Sequence, residues 1–111
     1  MAQYMLLLRG GEFKQYSPEE MQKIVERYFA WGNKLRAEGR HRGGDELKDG
    51  GRILSVKNGK VVDGPFTETK EVVGGYYLFE AKDYDEAAAI SKECPHLTYG
   101  GSIEIREINP H

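Results

Sequence analysis

Asn58-Gly59 is the pair of residues that most constrains what this chain can fold into. It joins two short runs, Arg52-Ile53-Leu54-Ser55-Val56-Lys57 and Lys60-Val61-Val62. A two-residue connection between apolar runs needs positive φ at both central positions, and Asn-Gly supplies that more readily than other pairs. An antiparallel hairpin is therefore predicted, and the remaining elements fall on either side of it. Tyr4 to Leu8 is a continuous apolar run of strand length closed by Gly10-Gly11, which predicts a central strand buried on both faces.

Ser17-Pro18-Glu19-Glu20 starts a helix. Ser17 can accept from the amide of Glu20, Glu20 can reach back to Ser17, and Pro18 stands where a missing N–H costs nothing. Met21, Ile24, Val25, Tyr28, Gly32 and Leu35 then recur on one stripe, flanked by Phe29 and Trp31, with Lys23, Glu26, Arg27, Lys34 and Glu38 opposite. Gly32 inside that stripe costs up to ~1 kcal/mol against Ala, which suggests that something packs close to it. Gly39 is a C-terminal stop. The stretch from Arg40 to Gly51 reads as a solvated loop in which Asp45, Glu46 and Asp49 balance the cations, with an anion-binding rim of Arg40, His41 and Arg42 as the functional alternative.

Beyond the hairpin, residues 75–81 form an aromatic strand with Tyr76, Leu78 and Glu80 on one face and Tyr77, Phe79 and Ala81 on the other. Asp83 and Glu86 repeat the capping pattern ahead of a helix whose small-residue face is Ala87, Ala88, Ile90 and Cys94, ended by Pro95. His96 to Gly101 is a loop. Ile103 to Ile108 is a last strand, with Ile103 and Ile105 facing one way and Ser102, Glu104 and Arg106 the other.

The order strand, helix, hairpin, strand, helix, strand describes one α+β domain over residues 1–111. It matches a ferredoxin-like β-α-β-β-β-α-β arrangement with both helices on one face of an antiparallel sheet. The other face would present apolar and aromatic residues with Glu104 and Arg106. A homodimer with facing sheets and ~1,200–2,000 Å² of buried area is therefore expected. A net charge of −2 gives no electrostatic reason to expect nucleic acid or an anionic membrane. One cysteine, Cys94, permits no internal disulfide and fits a reducing compartment. The N-terminal apolar run lacks a preceding basic region and reads as a strand rather than a signal peptide, and nothing approaches the ~20 apolar residues of a membrane span.

Between the hairpin and the aromatic strand, Asp63-Gly64-Pro65-Phe66-Thr67-Glu68-Thr69-Lys70-Glu71 crowds ionisable groups behind a stiff turn, and Tyr76 follows closely. A Lys held between carboxylates keeps its charge and can orient an anionic or carbonyl substrate, or become a base if desolvated. Asp63, Lys70 and His96 are the candidate catalytic residues, with His96 able to act as acid or base near neutral pH. Glu71, Tyr76 and Arg106 are the candidate ligand-binding residues, Arg106 as a clamp for a carboxylate or phosphate. For each the alternative is a structural ion pair or a solvated side chain. Cys94 reads as core. The scattered His41, His96 and His111 offer no metal-ligand spacing, and no phosphate-binding glycine motif occurs.

Asp63-Gly64-Pro65-Phe66 with Thr67-Glu68-Thr69-Lys70-Glu71, Gly74-Gly75-Tyr76-Tyr77, Cys94-Pro95-His96 and Gly101-Ser102-Ile103-Glu104-Ile105-Arg106 resembles the YCII-related proteins of the DGPF type across nearly the whole chain. The resemblance implies a ferredoxin-like fold dimerising as an α+β barrel, a bacterial cytoplasmic location and, for some members, a link to sigma factors. It implies no cofactor. The histidine associated with YCII proteins belongs to the first-helix region. The helix begun at Ser17 and stopped at Gly39 contains no His, so the His–Asp arrangement to which enzyme activity in the wider YCII group is attributed does not transfer. The function expected is a small-molecule enzyme with a metal-free acid/base cleft. The alternatives are a non-catalytic ligand-binding or regulatory module and an interaction protein.

Overall fold

The computed structural model describes residues 1–65 and 72–111. Its elements are β1 (Ala2–Gly10), α1 (Pro18–Ala37), β2 (His41–Glu46), β3 (Leu54–Lys57), β4 (Lys60–Asp63), β5 (Val73–Ala81), α2 (Tyr84–Ser91), a 3-10 turn (Pro95–Tyr99) and β6 (Gly101–Glu107). β2, β5, β1 and β6, in that order, make an antiparallel sheet, while β3 and β4 make a two-stranded sheet of their own. Each helix thus joins two strands that a third separates, which is the ferredoxin-like α+β arrangement.

The helix signals act as expected. Ser17 Oγ accepts from the Glu20 amide and Glu20 Oε1 accepts from the Ser17 amide, closing the capping box. Asp83 accepts from the amide of Glu86 to start α2. Trp31 and Leu35 from α1 and Ala87 from α2 join one core with Tyr4, Leu6, Leu8 and Phe79, so both helices cover the same sheet face. Trp31 turns inward from the edge of the predicted stripe, and Phe29 turns out to solvent. Gly32 faces Tyr77, but a Cβ there would stand 3.8 Å from the Tyr77 ring, an ordinary contact. Close packing does not explain this glycine.

Three expectations need correction. The stretch from Arg40 to Gly51 is not all loop: His41–Glu46 is an edge strand paired with β5. Its charges hid it, and so did Gly44, where a Cβ would meet the carbonyl oxygen of Tyr76 at 2.8 Å, so the close pairing requires glycine. Arg42 pairs with Glu80 at 2.7 Å and Arg40 with Glu86 at 2.9 Å, so these two arginines are tied to separate carboxylates rather than forming a shared anion rim. The hairpin forms with Asn58 and Gly59 at φ 51° and 76°, but it lies outside the main sheet, and β2 takes the place it was expected to fill. Finally, β1 is central but not buried on both faces. Tyr4, Leu6 and Leu8 are buried beneath the helices, whereas Met5 and Leu7 on the other face are half-exposed.

Candidate functional site

β1 ends and β6 begins at the same end of the sheet, where Gly10 pairs with Gly101 and Arg9 with Ser102. Residues 9–12 and 100–102 enclose a pocket of about 250 Å³ there. Its walls are largely backbone because Gly10-Gly11 faces Gly100-Gly101, which lets a small molecule approach main-chain groups closely. The side chains on its lining are Arg9, Glu12 and Ser102. The amide of Gly10 donates to the carbonyl of Val72 at 3.3 Å, so the chain entering β5 arrives beside this pocket.

Behind the glycines lies His96, only 4% exposed. A Cβ on Gly101 would sit 2.1 Å from His96 Nε2, so the imidazole occupies the space that a side chain at 101 would fill. Nε2 is 2.8 Å from the carbonyl oxygen of Arg9, and Nδ1 is 3.0 Å from the hydroxyl of Tyr28. A carbonyl can only accept, which assigns the proton to Nε2 and makes Tyr28 the donor to Nδ1. Burial lowers the His96 pKa, only partly offset by the Arg9 carbonyl, so the ring is neutral at neutral pH. Burial also pushes the Tyr28 phenol far above its usual range, which keeps it a donor. The carbonyl of Tyr28 accepts from the Tyr77 hydroxyl at 3.2 Å, its ring stacks on Tyr99 with centroids 6.5 Å apart, and Arg27 donates to the Tyr99 hydroxyl. The imidazole is therefore held in one tautomer by partners that are themselves fixed.

The uncovered face of the sheet carries a second polar group. Leu7 pairs with Tyr76 on β5 and Glu104 on β6, and Met5 pairs with Leu78 and Arg106. Glu104 bridges Arg9 at 3.1 Å and Arg106 at 3.2 Å. The Arg106 hydrogen bond, with the charge of Arg9, holds its carboxyl below the usual carboxylate range despite desolvation. Tyr76 donates to Asp45 at 3.3 Å. Half-exposed Met5, Leu7 and Leu78 thus sit among polar and charged side chains, the usual make-up of a small-molecule surface.

The structure brings Tyr76 and Arg106 to this one face. His96 lies on the helix side and is linked to the face through Arg9, whose carbonyl it bonds and whose guanidinium meets Glu104. Asp63 ends β4 in the separate hairpin and pairs with Arg52 at 3.5 Å. Lys70 and Glu71, with Phe66 and Glu68, lie outside the described residues. Cys94 is buried, and desolvation pushes its thiol up to about 11, consistent with core and not with a nucleophile. Among the described residues no group of three or more His, Cys, Asp or Glu could hold a metal ion, and no helix is long and apolar enough to cross a membrane.

Sequence reasoning did not single out Tyr28, Arg9 or Ser102. The two glycine doublets were visible, but nothing local shows that they face each other across a strand pair.

A model of the YCII-related domain matches residues 2–111. An uncharacterised protein of Rhizobium meliloti is 39% identical over 49 residues, a match covering 43% of this chain and 40% of that protein. The aligned part thus spans less than half of the curated relative. Among solved structures, a 5-chloro-2-hydroxyhydroquinone dehydrochlorinase from Burkholderia phenoliruptrix, in complex with 2,5-dihydroxybenzoquinone, is 18% identical with a TM-score of 0.48. That alignment covers 96% of this chain and 93% of that one.

Proposed function

The chain belongs to the YCII-related family, and on that premise we propose that it is a small-molecule enzyme, working as a homodimer, that moves a proton on a polar ligand held at the Arg9–Ser102 end of its sheet. The observation that carries this is the neutral, single-tautomer His96 directly behind a glycine-walled pocket of about 250 Å³. The neutral imidazole keeps its one lone pair on Nδ1, so it can take up a proton only there, from the Tyr28 side, and general acid–base catalysis contributes typically ~10²–10⁴-fold. Tyr28 is then a positioning residue, and Ser102 and the Arg9–Glu104–Arg106 group orient the ligand. Tyr76 contributes from the same open face. Lys70 and Glu71 belong to the segment that leads to Val72 beside Gly10, and they complete the proposed site as an electrophile and its carboxylate partner. Asp63 joins it only through the hairpin.

The homodimer is supported by the apolar centre of the open face, Met5, Leu7 and Leu78, which a second sheet would cover while closing a cleft over the charged groups. A cytoplasmic location fits the lone, buried Cys94. No cofactor is part of the proposal.

A second reading, a non-catalytic ligand-binding module, is favoured by one observation: both ring nitrogens of His96 already have hydrogen-bond partners. A metabolite screen followed by NMR separates the two. Ligands should shift the amides of Gly10, Gly11, Gly100 and Gly101. For a ligand that is turned over, His96→Gln should lower turnover by ~10²-fold or more while changing affinity little. A ligand that binds at these amides and is recovered unchanged supports the second reading. Ligands that bind only elsewhere contradict both.

A further inference from the structure

We propose that the outer edge of β6 pairs antiparallel with the same edge of a second copy, in a register centred on Ile105, and so joins two sheets into one. β6 ends the order β2-β5-β1-β6, so one of its edges meets β1 and the other meets no strand. Two hydrogen bonds show which residues turn which way. The Ile108 amide donates to the carbonyl of Gln3 next to it on β1, and the Glu107 amide donates to the hydroxyl of Tyr84 from α2. Alternation then turns the amides and carbonyls of Ile103, Ile105 and Glu107 to the outer edge. Among the described residues nothing bonds to the outward amides of Ile103 and Ile105. The two edges of the sheet differ. β2 breaks register with β5 between His41 and Gly43, whereas β6 keeps register with β1 over all of Gly101–Glu107. A bulge is one device that keeps an edge strand from pairing further, and β6 lacks it.

Charge selects both the occupant and the register. Glu104 and Arg106 point to the open face, with side chains 37% and 68% exposed. Two antiparallel edges pair only with outward-turned residues opposite outward-turned residues. Centring on Ile105 sets Ile105 against Ile105, Ile103 against Glu107 and Glu104 against Arg106, the unlike pairs occurring twice by symmetry. Moving the centre to residue 104 sets Glu104 against Glu104, and moving it to residue 106 sets Arg106 against Arg106, both unfavourable. The edge is complementary to itself in one register and repels itself in the two beside it. In that register the carbonyl of Ile103 of the second copy takes the place of the Tyr84 hydroxyl on the Glu107 amide. The contact uses a strand edge and not the open face, so it is separate from the sheet-to-sheet homodimer above and can coexist with it. It also brings Arg106 of the second copy to Glu104, the carboxylate that bridges Arg9 beside the pocket.

Disulfide trapping in the full chain tests it. In the proposed register the two Ile105 Cα atoms stand about 5.5 Å apart, within the range of about 4.4–6.8 Å that a disulfide spans. The two Ile103 Cα atoms stand about 14 Å apart, four residues along the strands. Ile105→Cys should therefore crosslink in an oxidised glutathione buffer at least 10-fold faster than Ile103→Cys. Wild type, whose one thiol is buried, is the blank. Both isoleucines are half-exposed, and circular dichroism checks that each variant is folded. In the Ile105→Cys chain, Glu104→Arg alone and Arg106→Glu alone should each slow crosslinking at least 10-fold. An equimolar mixture of those two variants should recover it as the mixed dimer, because unlike charges again face each other. A folded Ile105→Cys that stays uncrosslinked, or that crosslinks no faster than Ile103→Cys, overturns the pairing. Should such a protein still sediment as a dimer, the sheet-to-sheet contact stands without it. A mixture no faster than its two components overturns the register.

Discussion

Leu6 and Val56 are both aliphatic residues inside antiparallel strands, yet the first is fully buried and the second is 68% exposed. Leu6 belongs to a strand with neighbours on both edges and two helices over one face. Val56 belongs to a hairpin whose turn is locally ideal and whose two strands pair with each other in a sheet of their own. Local chemistry is sufficient to close a hairpin, because Asn58 and Gly59 determine the turn without outside help. It does not decide what the hairpin will lie against. The same contrast runs through β1 itself, where Tyr4, Leu6 and Leu8 are covered and Met5 and Leu7 are not.

The largest expected effect sharpens this contrast. Leu6→Ala should lower unfolding free energy by about 2–5 kcal/mol, because it removes a core side chain beneath both helices. Val56→Ala should change the stability of the single chain by less than about 0.5 kcal/mol. Urea denaturation at a concentration where the chain is monomeric reads both, and equal losses would erase the distinction between the two sheets. Gly101→Ala comes next. Its Cβ would collide with His96 Nε2, so overpacking of about 1–3 kcal/mol is expected, although alanine is ordinarily welcome in a strand position over glycine. Gly101→Ala combined with His96→Ala should recover part of that loss.

A pH effect follows from His96. Its folded pKa is lowered from the ordinary 6.5 by burial, so the unfolded chain takes up a proton first as pH falls. The contribution is fully present above pH 6.5 and declines as pH drops from there towards the lowered folded value. Thermal unfolding from pH 8 to pH 5 should show this decline, and His96→Gln should flatten that part of the profile. The smallest effect is at Gly32. It sits inside α1 with room for a methyl group against Tyr77, so Gly32→Ala should stabilise the protein by up to ~1 kcal/mol. A loss there would mean that α1 sits closer to the sheet than its contacts indicate.

Most of the fold could be read from the sequence where local chemistry was decisive: the Ser17 capping box, the Asp83 cap, the Asn58-Gly59 turn, and the alternating faces of β5 and β6. β2 escaped because His41-Arg42-Gly43-Gly44-Asp45-Glu46 has no apolar alternation, and its pairing is set by the neighbouring β5 rather than by its own residues. Of the candidate site, the alternation of β5 and β6 could be read from the sequence, but only the pairing of both strands with β1 places Tyr76 and Arg106 on one face. The company of His96 was hidden, since Tyr28, Arg9 and Gly101 are brought to it from distant parts of the chain. Such a site is a product of strand register, and register between remote strands leaves no local mark.

The state of the His96 ring is the most direct test. With ¹⁵N-labelled histidine in the full chain, NMR reports the protonation of each ring nitrogen separately. The account requires a protonated Nε2 and an unprotonated Nδ1 at neutral pH, with a titration midpoint below the ordinary value of about 6.5, and Tyr28→Phe should disturb Nδ1 rather than Nε2. A ring that exchanges freely between tautomers, or that titrates at or above the ordinary midpoint, would contradict a fixed and neutral imidazole behind the pocket.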